Sequence, residues 1–417
     1  MEEIHVVTCL LRNRGDVLLL SRSDQVGSYA GRWGGVAGHA EGDPDAAARQ
    51  EIAEEAGLAD AVTLVRRGES FAVEDTDLET RWVVHPYLFD CDARDVTLNE
   101  ETTEYAWVPP TEILRRDTVP DLWTTYDRVR STVETVAGDR EHGSAFLSLR
   151  ALEVLRDEAA LAAERGAADW QSLAALAREL RGARPTMTVV ANRINRAMAG
   201  AATDETPAAV ERAATEALRT AADADGAAAA AAADRLDGGR IATLSRSGTV
   251  ETALDRADPA AVLVAESRPG GEGVGVAERL AADGIDVTLV PDAGLAWKLA
   301  DGEWDAVLVG ADSVLADGRL VNKVGTRAAA LAGAHEGIDV LAVAATDKIS
   351  PGTEPHLESG DPAELYDGAA DLSVSAPLFD VTPADLLDGL CTEDGVLDAD
   401  GIESEAAAHR ERAGWDE

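Results

Sequence analysis

Polar and apolar positions along the chain change period three times. Val6 to Leu11 and Val17 to Leu20 are apolar runs separated by the turn residues Asn13, Arg14, Gly15 and Asp16, a spacing that predicts a β-hairpin. Asp43 followed by Pro44 reads as an N-cap with proline at the first helical position, and Gly57 closes the helix that follows. Further strands are expected at Arg81 to Phe89 and around Tyr105 to Val108, completing a mixed α/β domain over residues 1–138. From Gly143 to about Leu236 the pattern is helical, and the run Ala227 to Ala233 reads as a closely packed helix rather than a Gly/Ser-type linker. After Gly239, short apolar runs alternate with helical stretches: Ile241 to Leu244, Ala261 to Ala265, Val287 to Val290, Ala306 to Val309 and Val340 to Val343. Such alternation predicts βαβ units and a mainly parallel sheet. The fold class is therefore α/β, with a second domain over 139–417 made of a helical part (139–236) and a parallel-sheet part (237–417). No repeat of fixed period is present.

Composition narrows this picture. A chain of 417 residues exceeds one ordinary core of roughly 150 residues. Its 46% hydrophobic and 28% charged residues are those of a globular protein, and no stretch approaches the roughly 18 apolar residues of a membrane span. Arg12, Arg14 and Asp16 interrupt the first apolar run, so an export signal is not expected. Cys9, Cys91 and Cys391 are scattered and match no disulfide or metal spacing, which fits a cytoplasmic setting. The formal charge of −41 argues against nucleic acid and membrane partners. Lysine occurs only at Lys298, Lys323 and Lys348, a usage that resembles proteins of salt-loving archaea. The charge then reports habitat, and each surviving lysine is a candidate for a specific task.

Glu51, Glu54 and Glu55 fall at i, i+3 and i+4, which on an α-helix gathers three carboxylates on one face. A hard divalent cation such as Mg²⁺ would relieve their repulsion, bridge to substrate phosphates and orient a nucleophilic water. An exposed acidic face is the alternative for a triplet standing alone. It is accompanied by Trp33-Gly34-Gly35, the Asp43-Pro44 helix start, Gly57-Leu58 and Trp107-Val108-Pro109. In this combination the first third of the chain resembles the Nudix hydrolases. That resemblance implies an α/β sandwich, Mg²⁺ or Mn²⁺ held by Glu51, Glu54 and Glu55, a catalytic part for Glu54 and Glu55, and a nucleoside diphosphate derivative as substrate. Gln50 stands where the family pattern has arginine, with Arg49 one position earlier, and Glu41 and Asp43 flank Gly42 where a further motif acid is expected. Catalysis and a degenerate binding module both stay open.

In an open parallel sheet the ligand lies beyond the carboxyl ends of the strands. Those ends carry Thr243 with Ser245 to Gly248, Glu266-Ser267-Arg268, Asp292, Gly310-Ala311-Asp312, and Thr346 with Lys348. Ser247 and the following helix can offer N–H groups to a phosphate, and Arg268 and Lys323 can supply charge. Gly310 to Ser313 with Asn322 to Thr326, Glu266 to Pro269, Arg184-Pro185-Thr186 and Phe379 to Pro383 resemble the family of initiation factor 2B subunits, methylthioribose-1-phosphate isomerase and ribose-1,5-bisphosphate isomerase. The resemblance runs from about Gly143 to Val396. It implies a helical part leading into a Rossmann-like part, a homo-oligomer formed through this domain, and Arg184, Ser247, Glu266, Arg268, Asp312, Asn322, Lys323 and Lys348 as substrate-binding residues. The isomerases use a cysteine and an aspartate. Asp312 keeps the aspartate, but Ser245 stands at the cysteine position, and a serine hydroxyl needs a strong adjacent base to do comparable chemistry.

The expectation is a metal-dependent pyrophosphohydrolase module fused to a domain that binds or isomerises a sugar phosphate. The alternatives are a non-catalytic sensor of nucleotides or sugar phosphates and an initiation factor 2B-like regulatory subunit.

Overall fold

The computed structural model describes residues 1–166 and 168–416. Its contacts group into two units. The first comprises Met1–Val136, Arg150–Leu173 and Asp204–Arg219, and the second Ala137–Leu149, Ala174–Thr203 and Thr220–Glu417.

The first unit is built on eight strands: β1 (Glu2–Asn13), β2 (Asp16–Arg22), β3 (Trp33–Gly34), β4 (Val36–His39), β5 (Val62–Arg67), β6 (Phe71–Asp75), β7 (Thr80–Cys91) and β8 (Thr102–Val108). β1 and β2 form the expected hairpin, with Arg14 and Gly15 at positive φ in its turn. β7 runs parallel to β1, pairing Val6 with Val84, while β4 lies antiparallel on the other side of β1. Alternation along β1 splits the core. Val7, Cys9 and Leu11 pack with Ala48, Ile52 and Ala56, whereas Leu10 packs with Leu88, Leu122 and Tyr126 on the other face. The sheet thus lies between helix α1 (Pro44–Glu51) and helix α2 (Leu122–Asp127), each fully buried apolar side chain contributing about 1.5–3 kcal/mol.

After β8 the chain continues through α3 (Val133–Gly138), α4 (Ser144–Arg165), α5 (Trp170–Ala183), α6 (Thr188–Ala201) and α7 (Pro207–Leu236), so the expected helical stretch is present. The division between units passes through α4, α5 and α7. No helix among the described residues is long and apolar enough to cross a membrane.

The second unit is centred on a seven-stranded sheet. Its five expected strands are β9 (Arg240–Leu244), β10 (Ala261–Ala265), β11 (Val287–Val290), β12 (Ala306–Gly310) and, after the short β13 (Ser313–Val314) and β14 (Leu320–Lys323), β15 (Asp339–Val343). After β16 (Phe379–Thr382) come β17 (Gly389–Thr392) and β18 (Gly395–Leu397), giving the order β11-β10-β9-β12-β15-β17-β18. All pairs from β11 to β17 are parallel. The helices α8 (Gly248–Ala257), α9 (Glu272–Ala282), α10 (Leu295–Leu299) and α11 (Thr326–Glu336) follow β9, β10, β11 and β14, while α12 (Pro362–Leu365) and α13 (Ala399–Ala413) come later. Ala242, Leu244 and Leu263 face one core; Ile241, Val262 and Val264 face the other, against Ala228, Ala229, Ala232 and Ala233 of α7. Burial on both faces is why these strands read as continuous apolar runs, and the alanine run is a packed helix as expected.

Candidate functional sites

The acidic motif of the first unit opens as the sequence predicts. The Asp43 side chain accepts from the Asp45 N–H at 3.1 Å, and Pro44 occupies the first helical turn. The expectation of one α-helix up to Gly57 is corrected. α1 ends at Glu51, and Ile52–Ala56 form a π-helical turn before Gly57, at φ 67°, ends the helix. A π turn has more residues per turn than an α-helix, so i, i+3 and i+4 no longer share one face. Glu51 and Glu54 line a cavity of about 620 Å³. Glu55 is instead buried, its Oε2 accepting the Ala37 N–H at 3.0 Å. Burial pushes the Glu55 carboxyl up to about 7, with Glu51 adding to the rise and the Ala37 hydrogen bond opposing it. Gln50 donates its side-chain amide to Glu54 Oε1 at 2.8 Å.

A Cβ at position 38 would lie 1.9 Å from Glu51 Oε1, so glycine there lets the Glu51 carboxylate take this place. Glu51 occupies the space a side chain would fill. Sequence reasoning missed four residues that share the cavity: Glu101, Arg22, Tyr29 and Trp82. They come from separate loops and strands, so no local spacing reveals them. Burial, then Glu54 and Glu101, hold the Glu51 carboxyl above the ordinary range. Among the described residues no group of three or more His, Cys, Asp or Glu is arranged to hold a metal ion. The donor chemistry nevertheless fits one. Glu51, Glu54 and Glu101 are hard oxygen ligands facing one cavity, and their mutual repulsion is what Mg²⁺ or Mn²⁺ would relieve.

In the second unit the order of the sheet reverses direction at β9, whose neighbours are β10 and β12. Open α/β sheets commonly bind ligands near such a switch point, which here is flanked by the tips carrying Ser245 to Gly248 and Gly310 to Asp312. Ser245 and Ser267 both take the left-handed conformation, at φ 61° and 65°. Ser267 Oγ accepts the Ser245 N–H at 2.6 Å, and the Asp292 carboxylate accepts the N–H groups of Ser267 and Arg268, each at 2.7 Å. Backbone strain is thus held by hydrogen bonds at the tips of two adjacent strands. Ser247 caps α8 by accepting the Val250 N–H at 3.5 Å, and a Cβ on Gly310 would lie 2.7 Å from Ser247 Oγ. The two tips are in close contact.

Burial raises the Asp312 carboxyl, while Lys348 and Lys323 oppose the rise. Lys348, buried, donates to the Ala311 carbonyl at 2.6 Å. Lys323 pairs with Glu272 Oε1 at 2.6 Å, leaving the buried Glu272 Oε2 without a partner. Asn322 donates to Thr326 Oγ1 at 3.0 Å, and Arg268 pairs with Glu266 at 3.3 Å. Arg184 stands apart from this network, buried and donating to the Asp139 carbonyl. Glu272 and Glu358, the second of which raises Asp312, were not foreseen. The Lys323–Glu272 pair joins residues 51 apart in sequence, beyond the reach of any motif. Among the described residues no base hydrogen-bonds to the Ser245 hydroxyl, whose backbone N–H alone is engaged.

The chain thus carries an acidic cavity in its first unit and a cluster of acids and bases at strand ends in its second. Comparison with known proteins agrees with both parts. The NUDIX domain model matches residues 1–129, and the Initiation factor 2 subunit family model matches residues 140–399. The chain belongs to the Initiation factor 2 subunit family and carries an N-terminal NUDIX domain. It is 33% identical to ribose 1,5-bisphosphate isomerase of Haloferax volcanii, covering 66% of this chain and 91% of that protein. A methylthioribose-1-phosphate isomerase of Stenotrophomonas maltophilia is also 33% identical, but over 36% of this chain and 46% of its own length. Among solved structures, translation initiation factor eIF-2B of Pyrococcus horikoshii matches with a TM-score of 0.53 at 26% identity, over 64% of this chain and 94% of that one. The 5-methylthioribose 1-phosphate isomerase of the same organism shares the fold, with a TM-score of 0.52 at 22% identity over 75% and 90%.

Proposed function

We propose that the first unit is a divalent-metal-dependent pyrophosphohydrolase acting on a nucleoside diphosphate derivative, and that the second binds a sugar phosphate at the β9/β12 crevice. The observation that carries the first part is the convergence of Glu51, Glu54 and Glu101 on one cavity, with the Glu51 carboxyl raised by burial and by the other two acids. Glu51 and Glu54 would hold Mg²⁺ or Mn²⁺, with Glu101 completing the oxygen ligands. The bound ion supplies charge neutralisation for the diphosphate and a more acidic water. Glu55, kept near neutrality in its pK and fixed to the Ala37 N–H, suits a proton-accepting role. In the second unit, Lys323 and Lys348 supply positive charge beside Asp312, while Ser247 and the start of α8 present N–H groups toward an anion. Ser245 in place of a thiol favours binding over isomerisation there. Domain limits of 1–138 and 139–417, a cytoplasmic setting in concentrated salt and a homo-oligomer through the second domain belong to the same proposal.

One contact favours a second reading, a sensor that binds without turnover: the Gln50 amide occupies Glu54 Oε1. Incubating the intact chain in molar KCl with Mg²⁺ and a panel including ADP-ribose separates the two. The hydrolase reading expects phosphorylated products and a loss of about a hundredfold or more in Glu54→Gln. Equal, absent turnover in both proteins supports the sensor.

A further inference from the structure

Seven histidines are spread over 417 residues, and two of them, 80 apart in sequence, meet nitrogen to nitrogen. His5 lies on β1 and His85 on β7. The parallel register pairs His5 with Val83 and Val7 with His85, so both imidazoles leave the same face of the sheet, offset by two residues. His5 Nδ1 stands 3.0 Å from His85 Nε2, with His5 exposed and His85 half-buried. The pair is separate from the acidic cavity, which is lined by Val6, Thr8 and Val84, residues that alternate with it along the two strands. On its other side His5 Nε2 lies 3.7 Å from Glu3 Oε1, and Glu3 Oε2 is paired with Arg81 at 2.5 Å.

Two imidazole nitrogens held by one metal ion, each at ~2.05 Å, are about 2.9 Å apart at a right angle and about 3.3 Å apart at the tetrahedral angle. The observed 3.0 Å fits the right angle. That angle belongs to square-planar and octahedral Cu²⁺ and Ni²⁺ rather than to tetrahedral Zn²⁺. We propose that His5 and His85 form a two-imidazole chelate for a late first-row transition ion of the Cu²⁺ or Ni²⁺ class. The chelate has two protein ligands, and water fills the other positions. Without a metal the two nitrogens share one proton. A cation takes the place of that proton, which passes to the other nitrogen of its ring. For His5 that nitrogen is Nε2, which Glu3 faces, as carboxylates commonly orient metal-bound histidines. Burial, then His5, lowers the His85 imidazole, which favours the neutral form a ligand needs. The net charge of −41 raises the local concentration of cations. Bound between β1 and β7, the ion ties the N-terminal end of β1 to its neighbour.

Cu²⁺ titrated into the intact chain in molar KCl tests this, with saturating Mg²⁺ present to fill oxygen sites while leaving imidazoles free. Electron paramagnetic resonance counts the imidazoles on the bound ion by their nitrogen modulation. One Cu²⁺ carrying two imidazoles is expected. His5→Ala and His85→Ala each remove the two-imidazole signal and weaken uptake about tenfold or more. His335→Ala, at an exposed histidine of α11, leaves both signal and uptake unchanged. A one-imidazole signal in the unaltered protein, uptake indifferent to His5→Ala or His85→Ala, or equal weakening by His335→Ala overturns the proposal. None of these readings requires turnover, so the chelate stands or falls independently of the hydrolase.

Discussion

The two candidate sites handle charge in opposite ways. In the second unit several acids have a cation or an N–H assigned to them. Lys323 pairs with Glu272, Asp292 accepts two backbone N–H groups, and Asp347 is held between Arg193 at 3.1 Å and Arg196. Burial alone would raise Asp347, yet the two arginines hold it below the ordinary carboxylate value. Asp312 is the exception, raised by burial. In the cavity of the first unit, burial raises both Glu51 and Glu55, although Glu55 accepts the Ala37 N–H. The acids of the first cavity are those that the proposed cation would neutralise.

This contrast predicts mutations of opposite sign. The largest effect belongs to Asp347→Ala, which strands the fully buried Arg193 and is expected to destabilise the protein by about 3–5 kcal/mol, read from urea unfolding. In the first unit, removing the charge of Glu55 stabilises. Glu55 is raised from 4.5 to about 7, so the folded state holds a proton that the unfolded chain releases, and stability falls as pH rises through that interval. With a chelator present, Glu55→Gln is expected to abolish this decline and to raise the unfolding midpoint most above pH 7. A decline that persists in Glu55→Gln would place the strain elsewhere. The smallest change is Asp43→Ala. It removes the cap of α1 at a cost of about 0.5–2 kcal/mol, and it tests whether the acidic turn needs a well-anchored helix before it.

The sites also differ in how far the sequence reveals them. Strand ends of the second unit follow from period alone, because a doubly buried parallel strand is a short apolar run and its carboxyl end is the next polar residue. Ser245, Ser247, Glu266, Asp292 and Asp312 were found that way. The partners that complete the crevice, such as Glu272 for Lys323, depend on tertiary approach and leave no local trace. In the first unit the acids are legible as Glu51, Glu54 and Glu55, but their division of labour is not. Their spacing presumes an α-helix, whereas the π turn over Ile52–Ala56 sends Glu55 to the Ala37 N–H and leaves Glu51 and Glu54 in the cavity. Gly38 carried a signal that spacing could not decode, since its role is the space it leaves for Glu51.

The central claim is that the acidic cavity of the first unit is a cation site. Mn²⁺ titration of the intact chain in molar KCl, followed by electron paramagnetic resonance of the free ion, tests it most directly. The account predicts uptake that is lost in Glu54→Gln and weakened in Gly38→Ala, where a methyl group displaces the Glu51 carboxylate. Uptake indistinguishable among the three proteins would contradict it.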